Sequence, residues 1–302
     1  MQFQSRPSVP AWRPAVPSLL QAPLAGIGQI YFQSSPLFGA LLLGCLYLTA
    51  PAMAAGCLLG VCVANGTAWA LDFPEDARHA GLYGFNGALS GVGLCAAYSF
   101  NVALLCWITL AGMATAMLAR AMSGRGLPPL TSLFVLVMWL ARAAGPMTGL
   151  APNVAQGIAL LPAGAAAGCG MAPLAYVFCA VGQASFVAAV PLGMLLWTAL
   201  ARGRWHLGVW TLGGAALAWG ALALAPLVAP AWPVAALATG MGVNCALTLL
   251  GLTVHGRAWR WRCAGGLASV ALCVACAALG LAFYTLPFVL SVWLVLAASR
   301  AK

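Results

Sequence analysis

The chain has 302 residues and a formal net charge of +10; 64% of its residues are hydrophobic, only 5% are charged, and the mean hydropathy is +0.99. Since soluble domains carry about 25% charged residues, this composition excludes a soluble globular protein and predicts a polytopic membrane protein. The apolar segments are continuous rather than alternating, which argues against a membrane β-barrel. The basic residues form no patch with aromatic residues, so their charge indicates membrane topology and not nucleic-acid binding.

The first part of the chain predicts a tail, a short apolar segment and five spans. Residues 1–16 predict a cytosolic tail, and no compact apolar core of a cleavable signal peptide lies in residues 1–20. Residues 17–33 are too short for a full span, which needs about 20 apolar residues, so we expect a re-entrant helix there. Five spans are expected near residues 36–55, 56–71, 82–100, 102–120 and 131–150.

The second part repeats this plan. Residues 151–169 form an Ala-, Gly- and Pro-rich linker between a first repeat, residues 17–150, and a second repeat, residues 170–302. The second repeat predicts a re-entrant segment near residues 170–187. Its five spans are expected near residues 190–201, 208–228, 237–254, 264–283 and 285–299.

Polar motifs recur at one offset in the two parts. Gln29 and Gln183 each follow a glycine and precede a phenylalanine by three residues, at an offset of 183 − 29 = 154. Thr131 and Thr285 begin similar apolar segments, also 285 − 131 = 154 residues apart. An odd number of spans per repeat inserts the second repeat upside down. The sequence therefore predicts an all-α polytopic membrane protein, an inverted repeat of two five-span halves, each with a re-entrant helix.

The basic residues agree with this topology. With the N-terminus in the cytosol, twelve of the thirteen Lys and Arg residues fall in predicted inside segments, and only Arg142 falls elsewhere. We expect both termini to be cytoplasmic.

Ionisable residues are confined to predicted loops. The three acids, Asp72, Glu75 and Asp76, lie in one inside loop, and the three histidines also fall in inside loops. Proton relays, cation sites and acid–base catalysis need such groups at membrane depth. The Cys273-x-x-Cys276 pair lies in an apolar segment without a second ligand pair, which favours helix packing over metal binding. We therefore expect no enzyme, no cofactor and no metal, and favour a passive path for a neutral solute over an ion-coupled carrier.

Neutral polar residues at membrane depth are the candidates for such a path. For Gln29, Gln183, Thr131 and Thr285 we favour the lining of a shared cavity over the satisfaction of a helix end. Asn86 and Asn244 are 244 − 86 = 158 residues apart. For these two we favour the satisfaction of a helix end over the lining of a cavity, because Asn commonly caps helices. Phe32, Phe186, Phe85 and Leu89 would add ring faces and an apolar wall, and on a helix each Phe three residues after a Gln would share its face. Oxygens along one edge and rings on either side suit a small planar amide.

The motifs together resemble the urea transporters over residues 20–299. They are Gly-Ile-Gly-Gln-x-x-Phe at residues 26–32, Gly-Leu-Tyr-Gly-Phe-Asn-Gly-x-Leu at residues 81–89, and Thr-Leu-Pro-Phe-Val-Leu-x-x-Trp-Leu at residues 285–294. The resemblance implies a homotrimer in the lipid bilayer whose independent pores move urea down its gradient. It further implies that Phe32, Phe85 and Leu89 wall a slot, with Thr131 and Thr285 opposite each other at its narrowest part and Gln29 on its oxygen-lined edge.

The chain departs from that family at three positions. Gln183 stands where the family often has an acid, Val243 stands at the second-half counterpart of Phe85, and Leu133 replaces a proline, whereas Leu247 matches Leu89. We expect a slot that is wider and less polar at one mouth. The interpretation is a urea channel of the bacterial inner membrane; the alternatives are a pore for another small neutral amide or water, an ion-coupled carrier, or a membrane enzyme.

Overall fold

The computed structural model describes residues 18–153, 170–228 and 234–300. In these three ranges the regular secondary structure is helical, apart from one isolated β-bridge between Tyr98 and Pro152. The expected all-α architecture is thereby confirmed. The predicted tail, residues 1–16, and most of the predicted linker, residues 154–169, lie outside the described residues.

Among the described residues, the first half holds seven α-helices, and 3₁₀ turns extend the first and the last of them. They are α1 (Ser18–Gly28), α2 (Pro36–Thr49), α3 (Pro51–Ala70), α4 (Glu75–His79), α5 (Phe85–Ala97), α6 (Val102–Gly124) and α7 (Ser132–Ala144), with 3₁₀ turns at Gln29–Tyr31 and Gly145–Thr148. The second half holds α8 (Pro173–Gln183), α9 (Val190–Gly203), α10 (Trp205–Val228), α11 (Val234–Val254), α12 (Trp259–Ala278) and α13 (Leu286–Ala298).

Local sequence explains where several helices begin. Proline occupies the first turn of α2, α3 and α8, where its missing N–H costs nothing. The Ser35 hydroxyl accepts the Phe38 N–H at 3.3 Å ahead of α2. The Asn101 amide oxygen accepts the Leu104 N–H at 2.8 Å ahead of α6. Each of these side chains satisfies one N–H that the first helical turn leaves free.

The chain is a multi-pass membrane protein. Within the described ranges five helices are long and apolar enough to cross a bilayer: α3, α6, α10, α11 and α12. Residues Leu19–Tyr31 and Pro36–Thr49 pass the same test together but are bent by 75°, as in a broken span or a re-entrant loop. The helices α5, α7 and α13 have 13 residues each, or roughly 20 Å, so the corresponding predicted spans are shorter than expected.

One predicted span is displaced. Residues 264–283 were expected to cross the membrane, but α12 begins at Trp259 and ends at Ala278. Its first turn contains Arg260 and Arg262, whose long side chains can place their charged groups at the membrane surface. Gly280 then adopts φ +65°, a left-handed conformation that ends the helix.

The two halves pack their helices in the same pairs. In the first half α1 contacts α2, α3 contacts α5, and α5 contacts α7; in the second, α8 contacts α9, α10 contacts α11, and α11 contacts α13. Glycines allow the closest approach. A Cβ at Gly39 would lie 1.8 Å from the Leu24 carbonyl oxygen, and one at Gly193 would lie 2.0 Å from that of Phe178. Small residues at such crossings are typical of helices packed in lipid.

Contacts between the halves are reciprocal. The Trp139 indole donates to the Ala282 carbonyl at 2.6 Å, and the Trp293 indole donates to the Pro128 carbonyl at 2.9 Å. Donors and acceptors are each related by the same 154-residue offset. A two-fold relation between the halves produces such pairs: when a residue of one half contacts a residue of the other, the two equivalent residues are in contact as well. The largest cluster of buried apolar residues draws on both halves, so the core lies at their interface.

Candidate functional site at the interface between the halves

Two threonines meet at the centre of this interface. Thr131 precedes α7 and Thr285 precedes α13, and their hydroxyl oxygens are 2.7 Å apart. Only 5% and 8% of these residues are exposed. Neither hydroxyl caps its own helix, so each side chain is free to contact the other half.

The backbone before each threonine has an unusual conformation. Leu130 and Tyr284 both adopt φ +47°, a region that costs a non-glycine residue about 1–3 kcal/mol. A strained backbone conformation of this kind persists only where contacts with the surrounding structure hold it in place. Here it turns the chain sharply into α7 and α13, with the hydroxyls at the interface.

Asn86 and Asn244 hold these two turns in the same way. The Asn86 amide donates to the Leu130 carbonyl at 2.9 Å, and its oxygen accepts the Phe134 N–H at 3.1 Å. Asn244 makes the equivalent bonds to Tyr284 and Phe288, both at 2.8 Å. Both side chains are buried. The interpretation that the asparagines satisfy helix ends is confirmed, and they position the threonines.

Residues 29–32 and 183–186, which we call the Gln–Phe segments, end their helices differently from what the sequence suggested. Phe32 follows a 3₁₀ turn with φ +57°, and Phe186 lies beyond the end of α8 with φ +65°. The backbone N–H of Gln33 donates to the Gly28 carbonyl at 3.1 Å, and that of Val187 donates to the Gly182 carbonyl at 3.0 Å. The expectation that each Phe shares a helical face with its Gln is therefore wrong, because a left-handed residue redirects the ring.

The two rings reach into the opposite half. The Phe32 ring lies edge-on to Phe288 with centroids 6.3 Å apart, and the Phe186 ring lies edge-on to Phe134 at 6.2 Å. We call the region around the Phe32–Phe288 contact the Phe32 end of the interface, and the region around the Phe186–Phe134 contact the Phe186 end. They are again related by the 154-residue offset, and edge-to-face packing of this kind is favourable.

Gln29 has a defined orientation. Its side-chain nitrogen donates to the Ala80 carbonyl at 2.7 Å and to the Ser34 hydroxyl at 2.9 Å. With both amide hydrogens used, the amide oxygen is left as an acceptor. Gln183 is half-buried, like Gln29, but Ala188 occupies the position that matches Ser34. The two ends of the interface therefore differ in polarity.

The remaining candidates are apolar and buried. Phe85 and Leu89 lie one turn apart on α5, with 9% and 2% of their surface exposed, and Val243 and Leu247 lie one turn apart on α11, with 7% and 2%. All four belong to the core cluster that joins the halves. Val243 leaves the second half without the ring that Phe85 supplies to the first.

Sequence reasoning missed some residues at the interface. The buried Tyr31 hydroxyl lies 3.0 Å from the Ser185 hydroxyl, another pair at the 154-residue offset, and also donates to the Val181 carbonyl. Extending the repeat alignment by two residues from Gln29 would have shown this pair. His255 contacts Phe32, although its loop position suggested that it was remote, and nothing in the sequence indicated the contact.

The chemistry of the site is that of neutral hydrogen-bonding groups. Across the described ranges, no group of three or more His, Cys, Asp or Glu side chains is placed to hold a metal ion. Cys273 and Cys276 are buried free thiols, whereas Cys179 is disulfide-bonded. What the interface offers is hydroxyl and amide oxygens flanked by aromatic rings, an arrangement suited to a neutral polar solute.

Comparison with known families decides the assignment. The family described as urea transporter matches residues 20–300 of the chain. The chain belongs to the urea transporter family. That family consists of transporters rather than enzymes, and the match covers both halves, including the threonine pair and both Gln–Phe segments.

Proposed function

We propose that the protein lets urea cross the bacterial inner membrane down its gradient, along a path between the two halves. The observation that supports this proposal best is the contact of Thr131 with Thr285. Among the described residues these two buried hydroxyls, which come from different halves, hydrogen-bond only to each other. The helices that follow them carry Phe134 and Phe288, the rings that Phe186 and Phe32 contact. This is where a small planar solute would exchange its water for protein oxygens.

The energetics suit a neutral solute. A urea molecule between the threonines replaces their mutual hydrogen bond with bonds to itself, so that opening costs little net free energy, since a typical net hydrogen bond contributes about 1 kcal/mol. The Gln29 oxygen would accept a urea N–H, and the rings of Phe32, Phe85 and Phe186 with Leu89, Val243 and Leu247 would flank the molecular plane. A hydrated ion would lose its water without a compensating charge and would be excluded.

The proposal includes an orientation. The reciprocal contacts support two halves related by a two-fold axis, and five spans in each half would make this axis lie in the membrane plane. The distribution of arginines favours cytoplasmic termini. A homotrimer with one path in each subunit follows from the family resemblance and is part of the proposal.

A second candidate is a pore for another small amide. Val243 in place of a ring would widen one mouth of the path, and Gln183 in place of an acid would make it less polar. Stopped-flow uptake of urea, acetamide and formamide into proteoliposomes separates the two, and we expect urea to be fastest. Equal rates for all three amides would favour the second candidate.

An ion-coupled carrier makes a different prediction from a facilitative path. A facilitative path equilibrates urea but never accumulates it, so an imposed sodium or proton gradient should leave the final urea concentration inside the vesicles equal to that outside. Accumulation above this level would contradict the proposal.

A further inference from the structure

His255 is the one histidine of the chain that contacts a proposed path residue. It follows the end of α11, and its ring lies edge-on to Phe32, with centroids 6.4 Å apart and planes at 84°. His255 is half-buried, whereas His79 and His206 are exposed. Phe32 therefore contacts both Phe288 and His255.

The protonation state of this ring follows from one hydrogen bond. Nδ1 lies 2.7 Å from the Gly251 carbonyl oxygen, which can only accept. The neutral ring thus carries its hydrogen on Nδ1, and Nε2 keeps a free lone pair. Among the described residues Nε2 has no hydrogen-bond partner, and it is not sealed from solvent.

The position of the ring is fixed by its turn. The His255 and Arg257 N–H groups donate to the Gly251 and Leu252 carbonyls, each at 3.0 Å, around Gly256, whose φ is +66°. Arg257 also donates to the His255 carbonyl at 3.2 Å and to the Ser299 hydroxyl at 2.9 Å. These contacts join the turn to the end of α13.

Among the described residues, the charged groups that act on His255 are basic. Burial lowers the pKa of His255, and the nearby Arg257 and Arg300 lower it further, while the bond to Gly251 opposes the shift. Arg262 contacts the Arg257 carbonyl through Nε and stacks on Trp210. The acids of the chain lie on another segment, where Asp72 pairs with Arg78 and Glu75 with His79. A pKa below the usual 6.5 keeps the ring neutral at pH 7.

We propose that His255 is a further solute-contacting residue, whose Nε2 accepts an N–H from urea at the Phe32 end. This proposal rests on the proposed function. It adds one hydrogen-bond acceptor, at the mouth of the path, to those of Gln29 and the two threonines. Protonation turns Nε2 into a donor and adds a third positive charge beside Arg257 and Arg300. The acceptor is then lost, and urea flux falls as the pH decreases.

The test is urea flux into proteoliposomes in symmetric buffers between about pH 7.5 and about pH 5, a range in which histidine is the residue that titrates. We expect the flux through the unmodified protein to fall by about fivefold on acidification, as for the loss of one hydrogen bond. His255→Gln keeps an acceptor but cannot titrate, and should show a flat profile. His255→Phe keeps the ring contact without the acceptor, and should be slow at every pH.

Matched controls use the two exposed histidines. His79→Gln and His206→Gln should retain the pH profile of the unmodified protein. A flat profile of the unmodified protein, or an unchanged profile in His255→Gln, would overturn the assignment of His255 while leaving the proposed function intact. Absence of urea flux at pH 7.5 would instead overturn the proposed function, and the role of His255 with it.

Discussion

At the residue scale, the paired hydroxyls of Thr131 and Thr285 are the feature on which we propose that transport depends. Each is buried, each has the other as its partner, and neither serves its own helix. Stability alone does not require this pair, since two apolar side chains of the same shape would pack comparably. The proposed passage of urea does require it, because these oxygens would replace the water that urea loses.

Replacing one threonine by valine tests this view. Thr131→Val and Thr285→Val keep the shape of the side chain and remove its hydroxyl, so we expect each to reduce urea flux by about tenfold without unfolding the protein. Stopped-flow uptake measures the flux, and thermal unfolding in detergent checks the fold. Normal flux in both variants would remove the threonines from the path.

At the element scale, two short helices are held by asparagine side chains. Asn86 and Asn244 each bond the carbonyl before a threonine and the N–H three residues after it. The same lateral clamp in both halves fixes the starts of α7 and α13 in the middle of the protein. Position of the threonines therefore depends on these clamps.

Asn86→Ala should destabilise the protein. It leaves the Leu130 carbonyl and the Phe134 N–H without their partner, at a cost of about 2 kcal/mol in the free energy of unfolding. Thermal unfolding measures the loss. Asn65→Ala is the control, because the Asn65 amide bonds only to Val61 on its own helix; equal effects of the two changes would contradict the clamp.

Glycine 39 sets the crossing of α1 and α2. A Cβ at this position would overlap the Leu24 carbonyl oxygen, so Gly39→Ala should cost about 3 kcal/mol of stability. Gly44 lies on the same helix with nothing within 4 Å of an added Cβ. Gly44→Ala should therefore be neutral or slightly stabilising in the same unfolding assay, because alanine favours the helix more than glycine does. A similar loss of stability in both variants would contradict the role of Gly39 at the crossing.

The sequence predicted those elements whose chemistry recurs. Gln29 with Gln183, and Thr131 with Thr285, stood out because neutral polar residues repeat at one offset in an apolar chain. The left-handed backbone of Phe32 and Phe186 could not be predicted, since no glycine marks either position and the rings that it directs pack against the other half. The ring of His255 was missed for the same reason: no periodicity connects a loop residue to a ring more than two hundred positions earlier.

At the scale of the whole molecule, the two halves meet through reciprocal contacts. Trp139 with Ala282 mirrors Trp293 with Pro128, and the threonine pair lies between them. Equivalent residues from the halves therefore approach one another near the centre. We propose that urea passes through this meeting point.

Joining the two halves at that point is the most direct test. In Thr131→Cys/Thr285→Cys the two sulfurs replace hydroxyls that are 2.7 Å apart, within reach of a disulfide. The single variants control for the native thiols, of which nine are free among the described residues. Urea flux through the double variant should stop on oxidation and return on reduction, whereas both single variants should conduct throughout. A double variant with a disulfide verified by mass spectrometry and an unchanged flux would contradict the account.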